Sequence, residues 1–212
     1  MSFESNLSLA FRLFEEGKLN ESKSLYDELL SKMLTQKEEI ALRYNYGYLL
    51  TELNQVDEAI GNYNKLLQIG KDTNNKEIIS QATHQKGMVY RLSGQYEKAL
   101  EVFLLEYNYI NEYFSNRLLF HSANYYELGY THLLLKEYDK AKYFLELSLS
   151  PAVKSGDKTM LACSYRGLGE YHQSQSKKEE ARLYFEKSIN EFQSIPDDYG
   201  KKEVEELIRS LD

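Results

Sequence analysis

The sequence has 212 residues, of which 42% are hydrophobic and 28% are charged, with a formal net charge of −7. This acidic balance argues against a broad nucleic-acid-binding surface, and no apolar run reaches the roughly 18 residues that a membrane-spanning helix needs. The single cysteine, Cys163, has no partner for an internal disulfide. Residues 1–11 have neither the basic region nor the apolar run of a signal peptide. We therefore expect a cytoplasmic protein that does not enter a membrane.

The chain begins with two predicted helices separated by a glycine. Residues 2–16 have helical periodicity, and Gly17 is predicted to end this first helix. Asn20 is predicted to cap the second helix, because its side-chain oxygen can accept a bond from a free N–H of the first turn. The apolar face of the second helix comprises Leu25, Tyr26, Leu29, Leu30 and Met33. Two helices joined by so short a break predict a helix hairpin.

The same arrangement of helix, break and helix continues in the middle of the chain. A second predicted hairpin covers about 37–70 and opens on a capping box formed by Thr35 and Glu38. Its helical pattern is broken at Asn54-Gln55, and that of a third hairpin is broken at Ser93-Gly94-Gln95. The sequence thus predicts antiparallel helix pairs with short connections.

The last part of the chain predicts two more hairpins and a final helix. The fourth hairpin ends around Pro151, and Asp157 can cap the first helix of the fifth. Ile195-Pro196 is predicted to stop the second helix of the fifth. The final helix has a single apolar stripe, formed by Val204, Leu207, Ile208 and Leu211. One apolar face is what a capping helix at the end of a repeat stack requires.

A common pattern of small and large residues relates these hairpins. Four of them have a glycine in the first helix, and these glycines are Gly47, Gly87, Gly129 and Gly169. An alanine follows twelve residues later, at Ala59, Ala99, Ala141 and Ala181. A large residue follows four further on, at Tyr63, Phe103, Leu145 and Phe185. A glycine within a helix is unfavourable by about 1 kcal/mol relative to alanine, so we expect the partner helix to approach closely there. A fainter first copy has Ala10, Gly17, Ser22 and Tyr26.

The recurring glycine, turn, alanine and aromatic residue resemble the tetratricopeptide repeat family, with repeats near 40 residues as in the Rap-type bacterial peptide sensors. The resemblance implies an all-α, right-handed superhelical solenoid of about five helix hairpins with a C-terminal capping helix, in one domain over 1–212. Its predicted repeats cover about 3–36, 37–74, 75–115, 116–155 and 157–195, with the cap over 197–211.

No pattern in the sequence indicates catalysis or a cofactor. His132 and His172 lie three residues after a repeat glycine, and we interpret them as buried histidines that face the partner helix. No two histidines have the spacing of a zinc-binding helix, and neither a nucleophile elbow nor a phosphate-binding loop is present. The sequence therefore predicts a non-enzymatic protein with no catalytic residue, no metal site and no cofactor.

The resemblance implies a peptide-binding concave groove lined by the first helix of each hairpin. In this family the inward positions lie three before, two before, one after and four after the repeat glycine. The groove residues predicted on this basis are Tyr44, Asn45, Tyr48, His84, Gln85, Met88, Arg91, Tyr126, Glu127, Tyr130, Arg166 and Glu170. The first repeat offers Leu7, Ser8, Phe11 and Phe14 at these positions. Aromatic residues and arginine are typical of binding hot spots, and we expect the arginines to select an acidic group.

The sequence therefore predicts a regulatory or scaffolding module that binds a peptide or protein segment in the groove. We expect neither nucleic acid nor a membrane as partner, and a homodimer is compatible with the sequence. Two alternatives stay open at this point. One is a Rap-like regulatory phosphatase or a remnant of one, and the other is a purely structural oligomerisation module.

Overall fold

The computed structural model describes residues 2–195 and 198–211. Within these residues the elements are eleven helices: α1 (Phe3–Glu15), α2 (Leu19–Leu30), α3 (Gln36–Glu52), α4 (Val56–Asp72), α5 (Lys76–Leu92), α6 (Tyr96–Tyr113), α7 (Leu118–Leu134), α8 (Tyr138–Ser155), α9 (Lys158–Ser174), α10 (Lys178–Gln193) and α11 (Asp198–Arg209). The all-α fold class is confirmed. The predicted helix stop at Pro196 and the predicted start of the cap at residue 197 lie outside the described residues.

The first ten helices form five pairs, each with a first (A) helix and a second (B) helix joined by a three-residue turn. The central residue of every turn has a positive φ, and these residues are Gly17, Asn54, Gly94, Lys136 and Ser176. In the fourth pair, the N–H of Lys136 donates to the carbonyl of Leu133, and the N–H of Glu137 donates to that of His132, both at 2.9 Å. The same two bonds recur in the other four turns. They are the bonds of a Schellman motif, which satisfies the last carbonyls of the A helix.

This backbone turn also starts each B helix, which corrects one sequence prediction. Asn20 was predicted to cap α2, but the helix begins at Leu19 and Lys18 occupies the cap position without a side-chain bond. The residue just before the B helix already donates the second Schellman bond, as Lys18 does to the carbonyl of Leu13. The turn therefore has no further position for a side-chain cap. Side-chain caps occur instead on A helices, at Thr35, Asn75 and Asp157, and the predicted capping box of Thr35 and Glu38 is confirmed.

We predict that Lys136→Gly stabilises the protein by about 1 kcal/mol. Lys136 has a φ of 61°, and a left-handed conformation is unfavourable by roughly 1–2 kcal/mol for a residue with a Cβ. Glycine removes this strain without disturbing the two backbone bonds of the turn. Urea unfolding of the variant checks the prediction. The control is Lys142→Gly on the exposed side of α8, where glycine should instead destabilise by about 1 kcal/mol.

The predicted close contact between the two helices of a pair is confirmed. A Cβ added at Gly47 would overlap the ring of Tyr63, which is fully buried. A Cβ added at Gly129 would lie 2.7 Å from the backbone nitrogen of Leu145. A third such pair is Gly169 and Phe185. In each pair the large residue of the B helix fills the space that the missing side chain leaves on the A helix.

The chain divides into two compact units, Met1–Val102 and Phe103–Asp212. The core of the first unit includes Tyr26, Leu42, Leu49, Tyr63 and Leu66. The second unit has one core cluster around Leu145 and Leu168 and another in which Phe185 and Phe192 contact Val204 of α11. The helix α11 thus packs on α10, as a capping helix does. A single solenoid domain over 1–212 stays a prediction.

Candidate functional site

A cleft on the first unit lies where A helices α1 and α3 meet. It has a volume of about 350 Å³ and is lined by Leu7, Ser8, Phe11 and Asn45. We call it the α1–α3 cleft. The three residues of α1 are inward positions of the first repeat, and Asn45 is a predicted groove residue. The cleft has apolar walls, with Phe11 37% exposed, and the Asn45 amide supplies both a donor and an acceptor.

Hydrogen bonds between α3 and α5 continue this surface. Gln85 Nε2 donates to the phenol oxygen of Tyr48 at 3.1 Å, and the Tyr44 hydroxyl donates to Gln81 Oε1 at 2.8 Å. Tyr48 is nevertheless 44% exposed, and it lies three residues after Asn45, on the same helical face. Burial raises the pKa of Tyr44 to about 12, so its phenol stays protonated at neutral pH. The structure therefore brings Asn45, Tyr48 and Gln85 together, with Tyr48 held in place and open to solvent.

The other predicted residues of α5 are partly buried. His84, Met88 and Arg91 are all of intermediate exposure. Nη2 of Arg91 lies 3.4 Å from the sulfur of Met88. These residues belong to the first unit together with Tyr44, Asn45, Tyr48 and Gln85.

The predicted groove residues of the second unit form a network among themselves. Arg166 Nη2 donates to the Tyr126 phenol at 2.8 Å, and its Nη1 donates to Glu203 of α11 at 2.8 Å. The Tyr130 hydroxyl donates to Glu170 Oε2 at 2.7 Å, and Glu170 Oε1 lies 3.5 Å from Arg166 Nε. The guanidinium of Arg166 thus has protein partners, and it is not positioned as an open carboxylate clamp.

Two of the predicted groove residues, Tyr126 and Glu127, are buried in the second unit. Tyr126 and Glu127 are each 5% exposed. Burial raises the pKa of the Tyr126 phenol above its usual range, so it remains a neutral acceptor for Arg166. Their side chains contribute to the packing of α7 rather than to an open surface. The helical spacing identified the face of α7, but it contained no information on how much of that face α9 covers.

Sequence reasoning missed Glu203 as the partner of Arg166. A usable signal was present, since Glu203 lies 37 residues after Arg166, the same spacing that separates Tyr44 from Gln81 and Tyr48 from Gln85. Ser210 of α11 also pairs with Gln173 of α9 across 37 residues, at 2.9 Å. The helix α11 therefore takes the place that the A helix of a further repeat would have next to α9.

Both repeat histidines lie against the partner helix, as predicted. His132 is 6% exposed, its Nδ1 lies 2.7 Å from Glu137 Oε2, and its ring stacks on Phe144. His172 stacks on Tyr184 in the same way. Burial lowers the pKa of both imidazoles. Their rings therefore act as neutral packing groups at neutral pH.

Comparisons with known protein families and with curated proteins bear on this architecture. A family model described as tetratricopeptide repeat matches residues 37–108 and 119–193. No curated protein matches the sequence significantly.

None of the helices in the described part of the chain is long and apolar enough to cross a bilayer.

Several solved structures share the fold at low sequence identity. The apo form of RapI is 21% identical, with a TM-score of 0.71 over 98% of this chain and 59% of that one. BtubC from P. vanneervenii is 14% identical, with a TM-score of 0.68 over 100% and 83%. Aspartyl phosphate phosphatase F from Bacillus subtilis is 14% identical, with a TM-score of 0.65 over 99% and 59%. This chain thus spans 59% of the length of RapI and of the phosphatase.

The comparisons and the structure give the same assignment. The family model covers more than half of the chain, and the matched segments contain most of α3 to α10, with the close contacts at Gly47, Gly129 and Gly169. Tetratricopeptide folds are generally non-catalytic scaffolds for protein interactions, which makes a protein-binding module the functional class. The chain belongs to the tetratricopeptide repeat family.

Proposed function

We propose that this protein is a non-enzymatic receptor for a peptide, or for an extended segment of a partner protein, and that it acts in regulation or scaffolding. The ligand lies on the A helices, in the predicted concave groove, and its main anchor on the first unit is the α1–α3 cleft. The observation that carries the proposal is this open apolar cleft with the Asn45 amide in its wall.

The cleft has the dimensions and chemistry of a side-chain pocket. Its volume of about 350 Å³ is at the lower end of the range of ligand sites, which is roughly 300–1,000 Å³. Leu7 and Phe11 favour an apolar side chain of the ligand. The amide of Asn45 can accept from a backbone N–H and donate to a backbone carbonyl of the same ligand. An extended peptide with one apolar residue at this position satisfies all these groups.

Tyr48 provides a second contact next to the cleft. It is 44% exposed, and its hydroxyl is fixed by Gln85 Nε2 at 3.1 Å. An aromatic ring that is already oriented loses little conformational entropy on binding, so it favours affinity. The groups that line the cleft carry no formal charge, so we assign the ligand residue bound there to the apolar class.

The test starts from twelve-residue peptides selected by display of a random library on the full-length protein. Calorimetry of a selected peptide should show that Tyr48→Ala weakens binding about 30-fold, because loss of a hot-spot side chain removes about 2 kcal/mol or more. Asn45→Ala should weaken binding about fivefold, because a typical hydrogen bond contributes about 1 kcal/mol.

The matched control is Lys65→Ala, on the exposed side of the B helix in the same hairpin as Asn45. It should leave the affinity unchanged. Equal losses in the control and in Tyr48→Ala would place the ligand elsewhere. A sedimentation run in which the protein forms a stable oligomer that buries Tyr48 would favour an oligomerisation module instead.

A further inference from the structure

The fourth and fifth helix pairs have the same arrangement of rings around a histidine near the end of the A helix. His132 of α7 stacks on Phe144 of α8, with ring centroids 5.7 Å apart and an angle of 9° between the planes. His172 of α9 stacks on Tyr184 of α10 at 5.2 Å and 11°. In both pairs the carbonyl of the histidine accepts the second Schellman bond, from the N–H of the residue five positions later. The two imidazoles therefore have equivalent surroundings in the backbone.

The residue that donates this Schellman bond differs between the two pairs. In the fourth pair it is Glu137, whose Oε2 lies 2.7 Å from Nδ1 of His132. In the fifth pair it is Lys177, whose ammonium group cannot accept a hydrogen bond. Nδ1 of His172 is buried and has no hydrogen-bond partner among the described residues. Because the shared stacking directs the two Nδ1 atoms alike, the exchange of a carboxylate for an ammonium explains the missing bond.

Protonation has different consequences for the two histidines. Neutral His172 can carry its proton on Nε2 and leave the buried Nδ1 without one. The imidazolium form has a proton on both nitrogens, so the cation would have a buried N–H without an acceptor. An unpaired buried donor is unfavourable, and more so when it is charged. At His132 the corresponding N–H is bonded to the carboxylate of Glu137.

The charges around His172 do not compensate for its burial. The titratable groups that face it from α8, the turn and α10 are Lys142, Glu146, Lys177, Glu180 and Tyr184. Two cations and two carboxylates give no net charge that would favour an imidazolium. Burial is the largest influence, and it lowers the pKa of His172. Burial also lowers the pKa of His132, but the bond to Glu137 opposes this effect.

We propose that His172 makes the last helix pair, α9 and α10, a proton-sensitive switch that opens in mildly acidic solution while α7 and α8 stay paired. Opening lets water accept the bond from the Nδ1 proton. Because α9 carries Arg166 and Glu170 of the predicted groove and α11 packs on α10, opening alters this part of the surface and releases the cap. The switch belongs to the second unit, so it is independent of the ligand proposed for the α1–α3 cleft.

The direction of the effect follows from the linkage between protonation and opening. The pKa of His172 is lowered in the closed pair, whereas the open pair exposes an imidazole with the ordinary pKa of about 6.5. The closed form is therefore fully stabilised above about pH 6.5 and loses this stabilisation as the pH falls below that value. About one pH unit lower, opening is favoured about tenfold if the closed pair keeps its histidine neutral.

Hydrogen exchange of the full chain at about pH 7.5 and about pH 5.5 tests the switch. Mass spectrometry follows the exchange, with correction for the intrinsic amide rates. Opening of α9 and α10 should increase about tenfold relative to α7 and α8 in the same sample. Lys177→Glu, at an exposed position, gives His172 the acceptor that His132 has, so it should remove most of the increase. Its matched control, Lys177→Met, removes the cation without supplying an acceptor and should keep most of it.

Two further variants test the role of the imidazole itself. His172→Phe keeps a ring against Tyr184 but cannot be protonated, so it should remove the increase. Glu137→Lys reproduces the arrangement of the last pair in the fourth pair and should transfer the acid sensitivity to α7 and α8. The proposal is overturned if α9 and α10 exchange alike relative to α7 and α8 at both pH values, if His172→Phe retains the increase, or if Lys177→Glu and Lys177→Met behave alike.

Discussion

Gly47→Leu should lower the free energy of unfolding by about 3 kcal/mol or more, although leucine is a far better helix former than glycine. A Cβ at this position would overlap the ring of Tyr63, which is fully buried and therefore has no space to move aside. Overpacking of a close-packed contact is unfavourable by roughly 1–3 kcal/mol and sometimes more. The side chain beyond the Cβ would have to separate α3 from α4.

The same hairpin offers a control with the opposite sign. Gly61 lies in α4, and a Cβ added there would meet no atom within 4 Å. Gly61→Leu should therefore stabilise the protein by up to about 1 kcal/mol through helix propensity alone. Urea unfolding of both variants measures the difference. If Gly47→Leu were as stable as Gly61→Leu, the contact between Gly47 and Tyr63 would not hold this hairpin together.

The spacing of small and large residues was sufficient to predict the helix pairs. It placed Gly47 against Tyr63 and Gly129 against Leu145, because close packing of two helices demands a small residue on one of them at a fixed position. It did not predict the positive φ of Lys136. A Schellman turn depends on backbone bonds, and a lysine can occupy its left-handed position at a cost of about 1 kcal/mol. The turn at Lys136 therefore has no glycine that would mark it in the sequence.

The candidate site was predictable only as far as a single helix determines it. Helical spacing grouped Asn45 with Tyr48 on one face of α3. It could not show that α9 and α11 supply partners for Tyr126 and Arg166, because burial of a side chain depends on the neighbouring helix.

The second large effect is expected from Val204→Asp in α11. Val204 is fully buried, in contact with a cluster that includes Phe192 and Leu211. A carboxylate without a partner in an apolar site is unfavourable by several kcal/mol, so α11 should detach from α10. Its polar contacts include Arg166 to Glu203 at 2.8 Å, which is part-buried, and Gln173 to Ser210 at 2.9 Å, which is exposed. Ion pairs and hydrogen bonds that water still reaches contribute about 1 kcal/mol or less each, so these contacts should not retain α11 alone.

Detachment would have two measurable consequences. Loss of the cap uncovers the apolar face of α10 around Phe192, so the variant should associate in sedimentation velocity runs and unfold at a lower urea concentration, as a repeat stack without its polar end does. The residues of α11 should also become sensitive to limited proteolysis. Lys202→Asp introduces the same side chain on the exposed face of α11, and it should sediment as the unmodified protein does and stay protected from proteolysis. If both variants behaved alike, α11 would not be a cap, and the burial of Val204 would have no role in the stability of the last repeat.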